Sequence, residues 1–241
     1  MATGAGKSTK KPTDISGLTS SEQLDKIQQL QQAMGQTGDE AGLRNPPGGN
    51  KNKLYVNTSK AFDINYYLLT GVVGSPDSNW TDFGYTERMM KNDIEKIDSG
   101  MKPMSEALAT YRYMNVKSLS KMLGISPLFI NSFYNQASNG TLDDTAKAKF
   151  SEVLKSTDYT HKGYTSLSYV KEHSTFDKYP IRLKAVIDKG TPAIVTNNHP
   201  EHEIVAGRGL KYNFTGNFKI VNEKSTATGM TQPYIEIEVR L

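Results

Sequence analysis

The chain predicts an α+β fold: helices first, then a mainly antiparallel sheet system closing a cleft. Two observations carry this. Apolar residues recur at helical spacing through roughly the first 155 positions. After Tyr159, alternation and β-branched residues dominate, with Gly and Pro between the runs.

Taken in order, residues 1–17 are small, polar and Lys-dotted, and read as disordered. A short Gln-rich helix follows from Ser20 or Ser21 to Met34, with Ser21 as a cap, a thin stripe of Leu24, Ile27 and Leu30, and Gly35 as its stop. It reads as a loosely attached surface helix that could serve as a docking segment for a partner. Residues 36–53, with Pro46-Pro47-Gly48-Gly49, read as a linker. Residues 1–53 are therefore taken as a flexible N-terminal segment and 54–241 as the folded domain.

Within that domain, helices are expected over Ser59–Leu69, Tyr85–Ile97, Val116–Leu123, Pro127–Gln136 and Leu142–Leu154. A strand is expected over Ala107–Met114, and later strands over Tyr164–Tyr169, Ile181–Ile187, Glu203–Val205, Leu210–Val221 and Tyr234–Leu241. Gly190-Thr191-Pro192 reads as a turn.

Composition narrows the chemistry. There is no Cys among 241 residues, which excludes disulfides, thiolate zinc sites and a cysteine nucleophile. The four His residues (161, 173, 199 and 202) are scattered without a metal-like pair, so no metal is assigned. Net charge is +4, and residues 1–60 hold eight basic against five acidic side chains, leaving the rest almost neutral. A nucleic-acid partner is thus not demanded by charge. No apolar run approaches the ~20 residues a membrane helix needs, and the N-terminus lacks the apolar middle of a secretory signal. The chain reads as cytoplasmic, with no membrane partner. Gly4-Ala5-Gly6-Lys7-Ser8-Thr9 is not a nucleotide-binding loop, because the template's first Gly falls on Met1 and no strand can precede it.

Three segments carry the functional signal. Arg112 lies in Ala109-Thr110-Tyr111-Arg112-Tyr113. Next come Tyr164-Thr165-Ser166-Leu167-Ser168, and then Glu201-His202-Glu203 at the mouth of an apolar run. In an extended segment Glu201 and Glu203 would share one side, and two like charges that close suggest work to do. Read alone, each segment has a plainer meaning: a salt-bridging arginine, a Ser/Thr-rich edge strand, a solvated pair at a strand entry.

In this order the three resemble the mono-ADP-ribosyltransferases, in the branch marked by Arg, Ser-Thr-Ser and Glu-x-Glu. The resemblance covers roughly residues 55–241 and is strongest over 159–215. It implies an enzyme using NAD, with two packed, mainly antiparallel sheets forming the NAD cleft. It also implies that Arg112 grips the pyrophosphate, for which a planar guanidinium fork is suited. Tyr113 stands where many relatives have a Gly whose backbone helps clamp nicotinamide. Ser166 would brace the catalytic Glu203, Leu167 would face the core, and Ser168 would support the sheet or touch the nicotinamide end. Glu203 would stabilise the oxocarbenium-like cation formed as the glycosidic bond breaks. Glu201 would act on the acceptor, and Glu rather than Gln there implies arginine. Residues 170–179 would lie over NAD, with Phe176 or Tyr179 stacking on nicotinamide.

Enzymes of this kind occur as bacterial toxins and phage proteins that modify host proteins. A phage protein carried in the virion, or a delivered effector, is therefore a further expectation. The rival is a phage structural or packaged protein that keeps the fold with little activity. Tyr113 and Leu167 are the features favouring it.

Overall fold

The computed structural model describes residues 11–36, 60–74, 84–172, 175–196 and 202–241. Six helices among them are α1 (Ser20–Ala33), α2 (Lys60–Thr70), α3 (Glu87–Gly100), α4 (Val116–Leu123), α5 (Pro127–Ser138) and α6 (Asp144–Ser156). The strands are β1 (Lys102–Pro103), β2 (Leu108–Met114), β3 (Tyr159–His161), β4 (Thr165–Ser168), β5 (Ile181–Ile187), β6 (Pro192–Val195), β7 (Glu203–Ala206), β8 (Leu210–Lys224) and β9 (Thr231–Arg240). The α+β expectation holds, and the predicted helices and long strands appear within a few residues of their bounds. The short strands β1, β3 and β6 were not expected, and β6 begins at the Pro192 that read as a turn.

Local chemistry accounts for the helix ends. Thr19 and Glu22 form a reciprocal capping box on α1, with Glu22 Oε2 accepting from the Thr19 amide at 2.8 Å. Thr86, Asn115, Ser126 and Asp143 cap α3 to α6 by accepting an amide of the first turn. Pro127 sits in the first turn of α5, where its missing N–H costs nothing. Gly124 ends α4 at φ 66°, a left-handed conformation open to glycine.

The strands form one hydrogen-bonded order, β1-β6-β7-β4-β2-β5-β9-β8-β3. Every neighbouring pair is antiparallel except β5 with β9. The two separate sheets of the sequence reading are thus two halves of one continuous sheet. They meet where β2 and β4 share a single pair, Tyr111 opposite Ser168, and the two strands make no further pair on either side of it.

Two apolar cores hold the helices to the sheet. The larger joins Leu108, Leu167, Leu183, Ile204 and Ile237 to Phe133, Phe150 and Leu154 of α5 and α6. There the Phe150 ring stacks on Phe133 at 4.4 Å and meets Phe218 edge-on at 5.1 Å. The smaller core packs Ile64 of α2 and Met90, Ile94 and Ile97 of α3 against Tyr164, Ile194 and Val205. Strand alternation explains the split: Leu167 and Ile204 are cross-strand partners facing one core, while Val205 faces the other.

The N-terminal segment departs from expectation. Residues 11–36 are part of the fold, not a flexible lead-in. Thr13 pairs in parallel with Leu108, its amide donating to the Ala107 carbonyl at 2.9 Å and its carbonyl accepting from Ala109 at 2.8 Å. Ile15, Ile27, Leu30 and Met34 are buried in the larger core. Gln31 of α1, and Gln36, which the linker reading includes, serve the edge of β6. Gln31 Nε2 donates to the Val195 carbonyl at 2.9 Å, and Gln36 Oε1 accepts from the Val195 amide at 3.1 Å. Residues 1–10 and the linker reading over 37–53 lie outside the described residues.

His161 closes the far edge. It is buried, its Nδ1 lies 2.9 Å from the Tyr159 hydroxyl, and its carbonyl accepts from Gly209. Burial, and next the Arg112 charge, push its pKa down to about 4 against a backbone hydrogen bond with Tyr164.

Two outcomes test this packing. Leu30→Ala should lower the stability of the whole domain by about 2–4 kcal/mol in urea unfolding, where a loosely attached helix would give no change. His161 binds its proton less readily folded than unfolded. Stability should therefore be full above pH ~6.5 and fall by up to about 3 kcal/mol as pH drops towards 4. Urea midpoints at pH 7 and pH 4.5 should differ less in His161→Gln than in the parent protein.

Candidate active site

The register of β4 and β7 sets the site. Ser168 lies opposite Glu203 and Ser166 opposite Val205, so Ser166, Ser168 and Glu203 project to one face. Ser166 is the diagonal neighbour of Glu203. Its hydroxyl donates across the ladder to Glu203 Oε1 at 2.5 Å. Ser166 is exposed while Glu203 is only 6% exposed, so the carboxylate is held in a wall with its serine at the opening. The Glu203 backbone is fixed as well, its carbonyl accepting from both the amide and the hydroxyl of Thr196 at 3.1 and 2.9 Å. The sequence reading anticipated the Ser166–Glu203 contact; nothing in it pointed to Thr196.

The entry to β7 is not extended. His202 has φ 49°, the left-handed region, the one such non-glycine among the described residues. Its carbonyl accepts from Tyr169 at 2.9 Å and its ring meets Tyr169 edge-on at 5.2 Å. The extended geometry assumed for Glu201-His202-Glu203 therefore does not hold at His202. Glu201 itself lies outside the described residues.

Arg112 comes from β2, next to the Tyr111–Ser168 pair. Two strand spacings separate β2 from β7, about 10 Å at the backbone. Arg112 points to the opposite face from Tyr111 and so, across the Tyr111–Ser168 pair, from the face of Ser166 and Glu203; its charge is felt by Tyr159 and His161, which lead into β4. Among the described residues it makes no hydrogen bond or ion pair with Ser166 or Glu203. Arg182, by contrast, is committed to structure, its Nη2 ion-paired with Glu236 at 2.5 Å. It is 1% exposed, with Nε on Glu236 at 2.7 Å and Nη1 on Glu223 at 2.6 Å and on the Tyr113 hydroxyl at 3.2 Å. A bound phosphate would have to break that buried network to reach Arg182, so Arg112 is the arginine with donors to spare.

The remaining residues singled out from sequence fall as follows. Leu167 is buried in the core, as expected. Ser168 is buried, and its Oγ accepts from the Val170 amide at 3.2 Å, supporting the turn after β4. Tyr113 directs its hydroxyl to the Lys171 carbonyl at 2.7 Å. Phe176 is 45% exposed on the segment after β4, and Tyr179 donates its amide to the Phe176 carbonyl.

Between them sits Asp177, which the sequence did not flag. It is buried, and its carboxylate accepts from the hydroxyls of Ser225 and Thr226 and from the amides of Thr226 and Ala227. Burial opposes its charge, but these hydrogen bonds outweigh it and hold the carboxyl below its ordinary range. The Tyr234 hydroxyl adds a bond to its carbonyl at 2.5 Å. Another unflagged residue is Asn65 of α2, whose Oδ1 accepts from the Tyr164 amide at 2.8 Å. A Cβ at Gly163 would lie 2.6 Å from Asn65 Oδ1, so a larger residue there would push that amide aside.

The pattern of the ADP-ribosyltransferase exoenzyme family matches residues 44–239. The epidermal cell differentiation inhibitor of Staphylococcus aureus is 24% identical over 151 residues, an alignment covering 59% of this chain and 60% of that protein. The fold is shared with C3stau2 from S. aureus, solved with NAD (TM-score 0.62, 18% identity, 95% of this chain and 99% of that one). It is also shared with BECa of C. perfringens, an ADP-ribosylating toxin solved with NADH (TM-score 0.65, 18% identity), where 95% of this chain covers 50% of the toxin. The matched span takes in all three motif segments, and the chain belongs to the ADP-ribosyltransferase exoenzyme family.

Proposed function

We propose that this protein cleaves the nicotinamide–ribose bond of NAD and transfers ADP-ribose to a protein side chain, with arginine as the acceptor. The observation that carries the reading is the 2.5 Å bond from Ser166 to the walled-in carboxylate of Glu203. A carboxylate whose rotamer and backbone are both fixed can stabilise a developing cation without reorganising, and that is where electrostatic catalysis gains most.

In this scheme Arg112 holds the pyrophosphate through its unspent donors, and Ser166 keeps Glu203 aimed at the ribose. The C–N bond breaks, its electron pair leaves with nicotinamide, and the anomeric carbon carries the positive charge beside Glu203. A guanidinium nitrogen of the acceptor then attacks that carbon, and its proton passes to Glu201. In this scheme Phe176 stacks on the nicotinamide ring. The acceptor belongs to a host protein, so the host cytoplasm is the place of action, reached as a delivered effector or in a phage particle. The docking of residues 11–36 into the core speaks against that stretch as a partner-binding arm. Among the described residues no helix is long and apolar enough to cross a membrane.

Purified protein with radiolabelled NAD and a host lysate tests the reading. Glu203→Gln should reduce nicotinamide release at least about a hundredfold with the fold intact by circular dichroism; retained cleavage would refute the assignment. Ser166→Ala should lower kcat by about tenfold with little change in KM, because it loosens a group that acts in the transition state. Glu201→Gln should keep slow NAD hydrolysis but lose transfer to arginine, and an equal loss of both would contradict the division of labour.

A further inference from the structure

Tyr113 occupies a position next to Arg112, and its hydroxyl sits between two groups of opposite hydrogen-bonding character. Arg182 Nη1 approaches it at 3.2 Å and the Lys171 carbonyl at 2.7 Å. A guanidinium can only donate, so the tyrosine oxygen must accept from it, and the phenolic hydrogen is left for the carbonyl. Arg182 is itself immobile. Two carboxylates grip it, the Tyr234 ring lies 5.1 Å from its guanidinium carbon, and Lys219 balances Glu236 at 3.0 Å. Burial raises the Tyr113 pKa, with Arg182 opposing, so the phenol keeps its hydrogen at neutral pH.

The carbonyl it grips belongs to the segment that leaves β4. That segment is attached beside the site at its start, where Tyr169 bonds the His202 carbonyl, and far along at Asp177. The Lys171 carbonyl is a further attachment, between these two.

We propose that Tyr113 is a positioning residue: its hydroxyl ties the Lys171 backbone to the Arg182 cluster and so anchors the start of the segment on which Phe176 lies. The segment's value to catalysis rests on the NAD reading above, but the tether itself does not. The tie links the strand bearing Arg112 to the segment bearing Phe176, so the two ends of the bound dinucleotide would be registered by one phenol. It also gives a use to a tyrosine at a position where the resemblance implies glycine.

Tyr113→Phe removes the tie and keeps the ring. In the NAD-free protein, amide hydrogen exchange over residues 169–172 and 175–179 should quicken by about five- to tenfold, the effect of losing one ordinary hydrogen bond. Exchange at Ser225–Ala227 should not change. In NAD cleavage, KM should rise about fivefold with kcat within about twofold, since the cost falls on ordering the segment for binding. Unchanged exchange would overturn the tether. Faster exchange with unchanged KM would overturn its role in positioning. If the parent protein cleaves no NAD, the functional reading fails, and the exchange measurement still decides whether the tether exists.

Discussion

One cross-strand pair, Tyr111 with Ser168, couples the two halves of the sheet, and the geometry of the site follows from it. Where β2 and β4 meet they are in register with Glu203 on the next strand, which brings the arginine strand, the serine strand and the glutamate strand side by side. Because the ladder stops after one pair, neither strand is obliged to continue against the other. By the register of that pair Tyr111 shares the face of Ser166, Ser168 and Glu203, while Arg112 stands on the other face of β2. Tyr111 is held on the outer side of this junction by Asp14, whose Oδ2 accepts its hydroxyl at 2.8 Å. The N-terminal segment thus reinforces the one point where the halves join.

Much of this was readable from residues. The long strands and the helices α3 to α6 declare themselves by periodicity and by caps that lie within a few positions in sequence. The pairing of Ser166 with Glu203 was readable because a motif supplied the partners and strand alternation supplied the side. What stayed hidden was tertiary. A Gln-rich amphipathic helix looks the same whether its amides face water or, as with Gln31, complete the exposed edge of β6, where Gln36 beyond the helix end joins it. Asp177 gives no local sign that its acceptors are filled by a turn some fifty residues later. Strands of two to four residues, such as β1, β3 and β6, carry too few positions for a period to emerge.

The charged interior has a consistent logic. Arg182, Glu236 and Glu223 form a compensated cluster on the face opposite the larger apolar core, and such a cluster contributes rigidity more than stability. Leaving Arg112 out of any comparable pairing is then informative. Two arginines lie one strand apart, Arg112 opposite Leu183 and Arg182 opposite Tyr113. One is consumed by structure, and the other retains the whole of its donor capacity.

His202 carries an implication for how this motif can vary. Its backbone lies in the left-handed region, where a β-branched residue is strained and asparagine or glycine is comfortable. The middle letter of Glu-x-Glu is therefore filtered by torsion angle before any chemistry is considered. Drift at this position would be confined to a short alphabet.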